Sequence, residues 1–521
     1  MVELNFKGKD LTKQKIKSID NEPLCLIKAI ECIDSPINSK STNTLILNHQ
    51  TIDDVSLHNI ETKKWFNKLF WGDNYLVMVS LLKNFSEKIN LIYFDPPFAT
   101  GGDFNYTIQI GDSKSSRSSN NWLRKKSYTD TWQEGLDSYL NFIYKRLLIM
   151  KKLLAIDGSI YVHLDWHVGD YIKIIMDEIF GEENFRNEIV WAYPAASART
   201  RRFFIRSYDI ILFYTKTDNY VFNDNPAIYM EYSNRVKNAL KKDKKGIFYY
   251  RGGSHDGKKL SQKVYIEKKG IFPRDVWSDI PYIRANTSEY QGFSTQKPER
   301  LLKRIILAST NENDIVADFF CGSGTSLAVA EKLGRRWIGS DLKKHAINIT
   351  KKRLLNICNS NNLYNWKTKF GKNPQPFIMY CLEKELKEPF LSPEFFKKKE
   401  LGLDQIKKLE KPKFEIKILK QNKHIVIELK SYKISFTNLI SDKILENIHK
   451  WTDLVDSWFI DFNHREGIFN NMWVSFRTPK NRSLNLKMES YDYKEPGIYE
   501  IMIKLIDIFG IETLQSYKIE I

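Results

Sequence analysis

Cysteine is scarce. The five in 521 residues (Cys25, Cys32, Cys321, Cys358 and Cys381) contain no Cys-x-x-Cys pair, which excludes the usual zinc-ribbon spacing and leaves no disulfide framework. They read as reduced thiols. No apolar run approaches the roughly 20 residues a membrane-crossing helix needs, so no membrane partner is expected. The opening MVELNFKGKDLTKQKIKS has neither a signal-peptide apolar stretch nor the acid-poor, Arg-rich look of a transit peptide, and the expected location is the cytoplasm.

What is present suits a folded chain: 42% hydrophobic and 13% aromatic residues can fill cores, and the length predicts two or three domains. A net charge of +18 fits a polyanionic partner, but a Lys-rich solvated surface would produce it equally, so the motifs must decide.

Residues 1–62 are weakly periodic and carry no nameable chemistry. From Trp65 a short apolar segment ends in Trp71-Gly72-Asp73-Asn74, a helical stretch follows, and the β-branched run INLIYF at 89–94 breaks into Asp95-Pro96-Pro97-Phe98. That pattern predicts a buried strand ending in a turn. The Ser/Lys/Arg-rich piece 113–127 is too polar to pack and suits closure over a ligand. Leu136, Leu140, Ile143, Leu147 and Leu154 recur at helical spacing, Asp157-Gly158 reads as the stop, and SIYVHL as a strand. A helix near 167–181 and the strands NEIVWAY and YDIILFYT (208–215) continue an α/β alternation. Periodicity then fails over 217–290, where residues 231–270 hold twelve Lys/Arg against four Asp/Glu, the composition of an inserted module. Order returns at Lys297-Pro298: helix 298–310, strand DIVADF, turn CGSGTS, a helix, strand RWIGSD and helix 342–357 make a complete mononucleotide-binding half. A polar linker near 357–385 leads to FEIKIL, HIVIEL, YEIMIKLIDIF and SYKIEI, a small β-rich domain.

Two blocks carry chemistry. In DIVADFFCGSGTSLAVAEKLGRRWIGSD a strand ends at Asp318-Phe319-Phe320, Gly322 and Gly324 permit a tight turn, and Asp341 closes the next strand. Asp341 can accept hydrogen bonds from both hydroxyls of a ribose, while backbone amides of the turn, around Ser323 and Thr325, favour a carboxylate. A P-loop would need Gly-Lys-Ser/Thr, but Gly324 is followed by Thr325-Ser326; a dinucleotide fingerprint would need a third small residue where Leu327 stands. S-adenosylmethionine remains.

The second block is Asp95-Pro96-Pro97-Phe98. The exocyclic nitrogen of adenine or cytosine is a poor nucleophile because its lone pair is delocalised into the ring. The Asp95 carboxylate and the Pro96 carbonyl can each take one amino hydrogen, aiming the lone pair at a sulfonium methyl. Phe98 offers a face for the base, and stacking worth roughly 1–3 kcal/mol helps offset the few kcal/mol of extruding it. Taken alone the motif could also be a rigid Pro-Pro turn after a strand; its company in the same chain argues for chemistry.

With WGDNYLVMVSLL, RLLIMKKLLAIDGSIYVHLDWH, IMDEIFGEENFRNEIVWAY and TQKPERLLKRIILAS, these blocks span about residues 65–356, in the order of the β group of amino-DNA methyltransferases (N6-adenine/N4-cytosine). The chain resembles that family, which includes the modification subunits of type III restriction systems. The resemblance implies a three-layer α/β Rossmann-like methyltransferase with an N-terminal extension (1–62), a catalytic half (63–216), a target-recognition insertion (217–290), a cofactor-binding half (291–357) and a β-rich accessory domain (386–521). It implies Asp73 and Asn74 on the adenine side of S-adenosyl-L-methionine, and Thr295, Lys297 and Pro298 near its methionine end. Double-stranded DNA is the implied substrate, with a restriction-endonuclease subunit and a second copy of the chain as candidate partners. DNA contacts are expected from Arg117, Arg124 and Lys125 and from Lys241, Lys242, Lys244 and Lys245. Adenine N6 is the expected target because Asp before Pro-Pro-aromatic is mostly adenine-directed in this group; N4-cytosine, or an RNA or protein amino group, stays open. Direct in-line transfer is expected, since no cysteine follows proline to supply the nucleophile of C5-cytosine chemistry. Tyr208-Asp209 stands where such relatives often carry His-Asp or His-Glu, and Ser294 where Pro is common.

Two further groupings read as structural. His163, Asp165 and His167 alternate at a strand end, but their surroundings match a family core strand, and no metal is expected. Glu428-Leu429-Lys430 resembles a nuclease Glu-x-Lys pair, but the nearest candidate for the upstream acid, Asp404, sits in a helix-like, Lys-rich stretch rather than at a strand end, so a solvated edge strand is expected.

Overall fold

INLIYF and IVAD are buried at nearly every residue, the pattern of parallel strands covered by helices on both faces. The structure, a computed structural model, describes residues 3–17, 27–33, 65–112, 122–132, 135–194, 202, 204–255, 258–266, 270–387, 410–465 and 467–521. Helix α1 (Lys9–Lys17) and strand β1 (Ile27–Ile33) come first. Then follow β2 (Asn67–Trp71), α2 (Asn74–Phe85), β3 (Ile89–Phe94), the hairpin β4 (Asp103–Gln109) and β5 (Trp122–Thr129), α3 (Leu136–Leu153), β6 (Leu154–Leu164), α4 (Gly169–Phe180), β7 (Phe185–Ala192) and β8 (Tyr208–Thr215). The next stretch holds α5 (Asn234–Asn238), β9 (Lys241–Asp243), β10 (Gly246–His255), β11 (Lys258–Tyr265) and β12 (Val276–Trp277). It leads into α6 (Glu299–Ser309), β13 (Ile315–Asp318), α7 (Thr325–Lys332), β14 (Arg336–Asp341), α8 (Lys344–Leu355) and β15 (Phe377–Leu382).

One sheet has the order β12-β7-β8-β6-β3-β13-β14-β2-β15-β1-β19, where β19 is Phe469–Asn470. The run from β6 to β15 is parallel, and β8 runs against both neighbours. One apolar core gathers α2, α3 and α4 on one face, with Val77, Leu147 and Ile172 fully buried; a second gathers α6, α7 and α8 on the other, around Leu302, Val329 and Leu354. This is a three-layer α/β fold of the Rossmann kind. From β3 the chain crosses through α3 to β6 on one side, and from β13 through α7 to β14 on the other. The β3–β13 boundary is therefore a switch point, and a ligand crevice is expected beyond the carboxyl ends of these strands.

Ahead of the C-terminal sandwich the structure departs from the sequence reading in four places. Asp157-Gly158, expected to stop a helix, lies inside β6, where the register slips between Ile89↔Leu154 and Leu91↔Ser159. A Cβ on Gly158 would stand 3.0 Å from the Ile89 and Ala155 carbonyls, so the glycine admits the bulge. Part of the expected linker is β15, fully buried beside β2. The unpatterned 217–290 stretch contains the antiparallel sheet β11-β10-β9, masked in the sequence by lysines on its exposed positions. That module hangs from a neck: Met230 and Ile271 exchange both backbone hydrogen bonds (2.9 and 2.8 Å), and a Cβ on Gly270 would stand 2.5 Å from the Met230 carbonyl. Finally, Trp122–Thr129, which begins within the segment 113–127 expected not to pack, forms β5 against β4.

The remaining strands are β16 (Lys413–Gln421), β17 (His424–Lys433), β18 (Val455–Asp461), β20 (Trp473–Phe476), β21 (Lys487–Asp492), β22 (Ile498–Asp507) and β23 (Glu512–Glu520). Sheets β16-β17-β21 and β20-β18-β22-β23 enclose a common core containing Ile427, Trp458 and Ile503. Glu428 and Lys430 pair at 2.6 Å on β17, which is a central strand rather than the expected edge; Asp404 lies outside the described residues. Several ties bind this sandwich to the α/β part. β19 pairs with β1. The buried carboxylate of Glu31 on β1 bonds both Lys351 on α8 and Lys504 on β22. The end of β4 and the residues just after it are gripped through Gln109, Gly111 and Asp112 by Arg477, Arg482 and Lys450. No helix among the described residues is long and apolar enough to cross a membrane.

Candidate active site

Four acids stand at neighbouring carboxyl ends of the parallel strands: Asp73 after β2, Asp95 after β3, Asp318 closing β13 and Asp341 closing β14. All four line one cavity of about 280 Å³, the scale of a small-molecule site rather than a packing gap.

On one side the glycine turn sets the shape. Gly322 and Gly324 both lie in the left-handed region (φ 51° and 70°), and a Cβ on Gly324 would stand 2.7 Å from the Thr350 side chain. The Asp341 carboxylate accepts the Gly322 N–H at 3.0 Å through one oxygen and the Lys343 N–H at 2.8 Å through the other, and each oxygen keeps a lone pair for a further donor. Burial pushes its carboxyl up to about 6. Asp318 accepts the Phe320 N–H at 2.9 Å and the Ser326 hydroxyl, and burial pushes it to about 7. Asp73 caps α2 by accepting the Tyr75 N–H at 2.8 Å, and Asn74 donates to the Phe319 carbonyl at 2.8 Å. Arg146 of α3 ties these two together, donating to Asn74 at 2.7 Å and to Asp73 at 3.2 Å while its guanidinium lies 3.4 Å over the Phe142 ring.

On the other side both oxygens of Asp95 take hydrogen bonds from the Lys297 ammonium, at 2.9 and 2.7 Å. The same ammonium lies 5.4 Å over the Phe98 ring. Phe98 stacks on His163, with centroids 6.2 Å apart. His163 is fully buried and hydrogen-bonded through both ring nitrogens, to the Tyr93 hydroxyl at 2.8 Å and to Asp209 at 3.0 Å. Asp209 also accepts from Tyr193 at 2.8 Å, so the Tyr208-Asp209 pair noted as a departure supplies the partner of the histidine beneath Phe98.

Of the residues singled out in the sequence, Asp73, Asn74, Asp95, Pro97, Thr295, Lys297, Asp318, Phe320, Gly322, Ser323, Thr325 and Asp341 line the cavity; Pro96, Phe98, Pro298 and Gly324 adjoin it in sequence without lining it. Sequence reasoning missed Trp132, Phe142, Arg146, Phe293 and Gln296, which also line it. Arg146 had a signal, a cation among the apolar positions of a buried helix, but its partners lie 72 and 73 residues away. Lys241 and Lys242 are exposed on the edge strand β9, and Lys244 and Lys245 on its turn. Edge lysines also deter strand-to-strand pairing, so position alone does not assign them to DNA. Arg124 and Lys125 are on β5; Arg117 lies outside the described residues.

The model of the N6/N4 DNA methylase family matches residues 89–352. Type II methyltransferase M.EcaI of Enterobacter cloacae is 31% identical over 330 residues, 55% of this chain and 69% of that one. DNA adenine methyltransferase YhdJ of Escherichia coli (strain K12) is 30% identical over 278 residues, 53% of this chain and 80% of that one. The protein named "Probable type III restriction-modification enzyme HindVI Mod subunit" of Haemophilus influenzae is 24% identical over 549 aligned positions, 80% of this chain and 70% of that one. The chain belongs to the N6/N4 DNA methylase family: it is an amino-DNA methyltransferase, and its methyl donor is S-adenosyl-L-methionine.

The cavity offers groups that could hold such a cofactor: Asp341 as the acceptor for a ribose diol, the α7 N-terminus for a carboxylate, and the Phe293, Phe320 and Phe142 rings for adenine. A protonated Asp341 offers a poorer acceptor pair to a diol, so acid should weaken cofactor binding. Calorimetry on the parent protein is expected to show affinity steady above pH 7 and falling below about pH 6, while Asp341→Asn binds more weakly at pH 8 and loses that dependence. An unchanged affinity in Asp341→Asn would remove Asp341 from the cofactor site.

Proposed function

We propose that the chain methylates N6 of adenine in double-stranded DNA, with Asp95 and the Pro96 carbonyl holding the amino group of an extruded base and the Gly322–Thr325 turn, Asp341, Asp73 and Asn74 holding the cofactor. The observation that carries this reading is that Asp95 and Asp341, from separate halves of the chain, line the same cavity. Bound S-adenosyl-L-methionine supplies an electrophilic methyl group on sulfur. Asp95 accepts one amino hydrogen and the Pro96 carbonyl the other, which directs the nitrogen lone pair toward that methyl; the nitrogen would gain the methyl as the sulfur–methyl bond breaks, its electron pair staying on sulfur as a neutral thioether, and would give up one proton to solvent. Because Lys297 engages both Asp95 oxygens, the arriving amine has to share the carboxylate with that ammonium or displace it.

Adenine is favoured over cytosine by the acid that precedes Pro-Pro-Phe and by the likeness to an adenine methyltransferase. The likeness to type II and type III restriction-modification proteins favours a cytoplasmic role in such a system, with a restriction-endonuclease subunit as partner. Nucleoside mass spectrometry of duplex DNA treated with the protein is the test. N6-methyladenine is expected; N4-methylcytosine alone would overturn the base assignment, and methylation of RNA or protein alone would overturn the substrate.

The β9–β11 module is the proposed target-recognition element, with Lys241, Lys242, Lys244 and Lys245 meeting phosphates. Each phosphate contact contributes roughly 0.9 to the slope of log affinity against log salt, so replacing all four lysines by alanine is expected to flatten that slope by about 2–4. An unchanged slope assigns these lysines to edge protection instead.

A further inference from the structure

We propose that Asp130 is a positioning residue for methyl transfer, holding the Asp95-Pro96-Pro97-Phe98 turn in its working shape from behind. Asp130 is fully buried at the end of the β4–β5 hairpin. Its carboxylate accepts three consecutive backbone N–H groups, those of Phe98 (3.2 Å), Ala99 (2.9 Å) and Thr100 (2.8 Å). It also accepts the Thr100 hydroxyl at 2.9 Å and the Trp132 indole N–H at 3.1 Å. Three successive amides converging on one point form an anion-binding nest, and here the chain fills it with its own carboxylate.

The turn needs such a pin. Ala99 lies in the left-handed region at φ 55°, which an alanine avoids unless its surroundings impose it, and Gly101 follows at φ 71°. The backbone of Asp130 closes the loop from the other side: its carbonyl accepts the Gly101 N–H at 3.1 Å and its N–H donates to Gly102 at 3.0 Å. Phe98 is the first residue held, so the carboxylate fixes the backbone from which that ring projects, three residues beyond Asp95. Through Trp132 the same carboxylate orients one wall of the cavity. Asp130 does not itself line the cavity and acts through Phe98, Thr100 and Trp132. Its mount is firm, because the far end of the hairpin is held by Arg477 and Arg482 of the sandwich.

The inference rests on the proposed catalytic role of the turn, and the test separates the two. Asp130→Ala, Asp130→Asn, Thr100→Val and Asp95→Ala are compared with the parent in the full chain, measuring thermal midpoint, cofactor affinity, KM for duplex DNA, single-turnover rate and the fluorescence of 2-aminopurine at the target base. Asp130→Ala is expected to lose about a hundredfold in rate, the cost of displacing a reacting group by about 1 Å, with cofactor affinity and KM within about threefold of the parent and with poorer capture of the extruded base. Asp130→Asn keeps one accepting oxygen but turns N–H donors toward the amides, and should fall between. Thr100→Val removes a single hydroxyl from the pin and should slow transfer about threefold at an unchanged thermal midpoint, which keeps the proposal testable if Asp130→Ala does not fold. If Asp95→Ala is inactive while Asp130→Asn and Thr100→Val transfer at the parental rate, the positioning role is overturned; if Asp95→Ala stays active, the catalytic reading of the turn fails first.

Discussion

Replacing Asp95 by alanine should lower single-turnover methylation by a hundredfold to a thousandfold, about 3–4 kcal/mol of transition-state stabilisation by analogy with a deleted oxyanion-hole donor. The carboxylate stands at the end of β3, only partly exposed, with both oxygens aimed at Lys297. On the proposed mechanism its contribution falls in the chemical step, because the amino hydrogen it would accept becomes more acidic as the nitrogen takes the methyl. Cofactor affinity should change little, since Asp341, Asp73 and the glycine turn are untouched. The truncation also leaves the Lys297 ammonium, itself mostly buried, without its partner, so Lys297→Met in the same background serves as a control: if the double variant recovers activity, stranded charge rather than a lost acceptor explains the defect. A rate within tenfold of the parent for Asp95→Ala would make Asp95-Pro96-Pro97-Phe98 a structural turn.

The second large effect is on stability. Glu31 is buried among Lys351, Lys504 and Asn471, with the two ammoniums also against the Phe459 and Phe469 rings at 3.8 and 4.2 Å. Burial alone would raise its carboxyl, yet the two lysines together hold it down to about 2. Glu31→Ala strands two cations in the interior, and denaturant unfolding should show a loss of about 3–5 kcal/mol. Replacing Glu31, Lys351 and Lys504 together by apolar residues of similar size should restore most of it, because the desolvation cost disappears with the charges. A triple variant no more stable than Glu31→Ala would mean that the site tolerates no apolar filling, and the electrostatic account would be wrong.

The parts of this molecule legible in its sequence are those fixed by local physics. INLIYF is a strand because a both-sides-buried strand must be apolar throughout, and α6 starts where Lys297-Pro298 ends an irregular stretch. Gly322, Gly324 and Asp341 could be placed because turn, helix and strand end are neighbours in the chain. The illegible parts depend on distant partners. Asp130 is an ordinary acid in YTDTW until the fold brings three amides of residues 98–100 to it. Glu31 reads as part of an extension without chemistry, and its lysines lie 320 and 473 positions further on. β9 to β11 were hidden by charge, since a strand exposed at many positions shows no apolar alternation. β15 was hidden in a stretch whose polar flanks mark it as linker.

The neck at Met230 and Ile271 has an architectural consequence. With the two chain ends of the β9–β11 module clamped together, whatever lies between them enters and leaves the enzyme at nearly one point. The entropy of closing such a loop grows only slowly with its length, by about 0.6 kcal/mol for each doubling. Lengthening, shortening or replacing that segment therefore leaves β8, β12 and α6 where they are, and with them the floor of the catalytic crevice. The chain is laid out so that the proposed recognition module can drift or be grafted as a unit while the residues of the cavity stay in place.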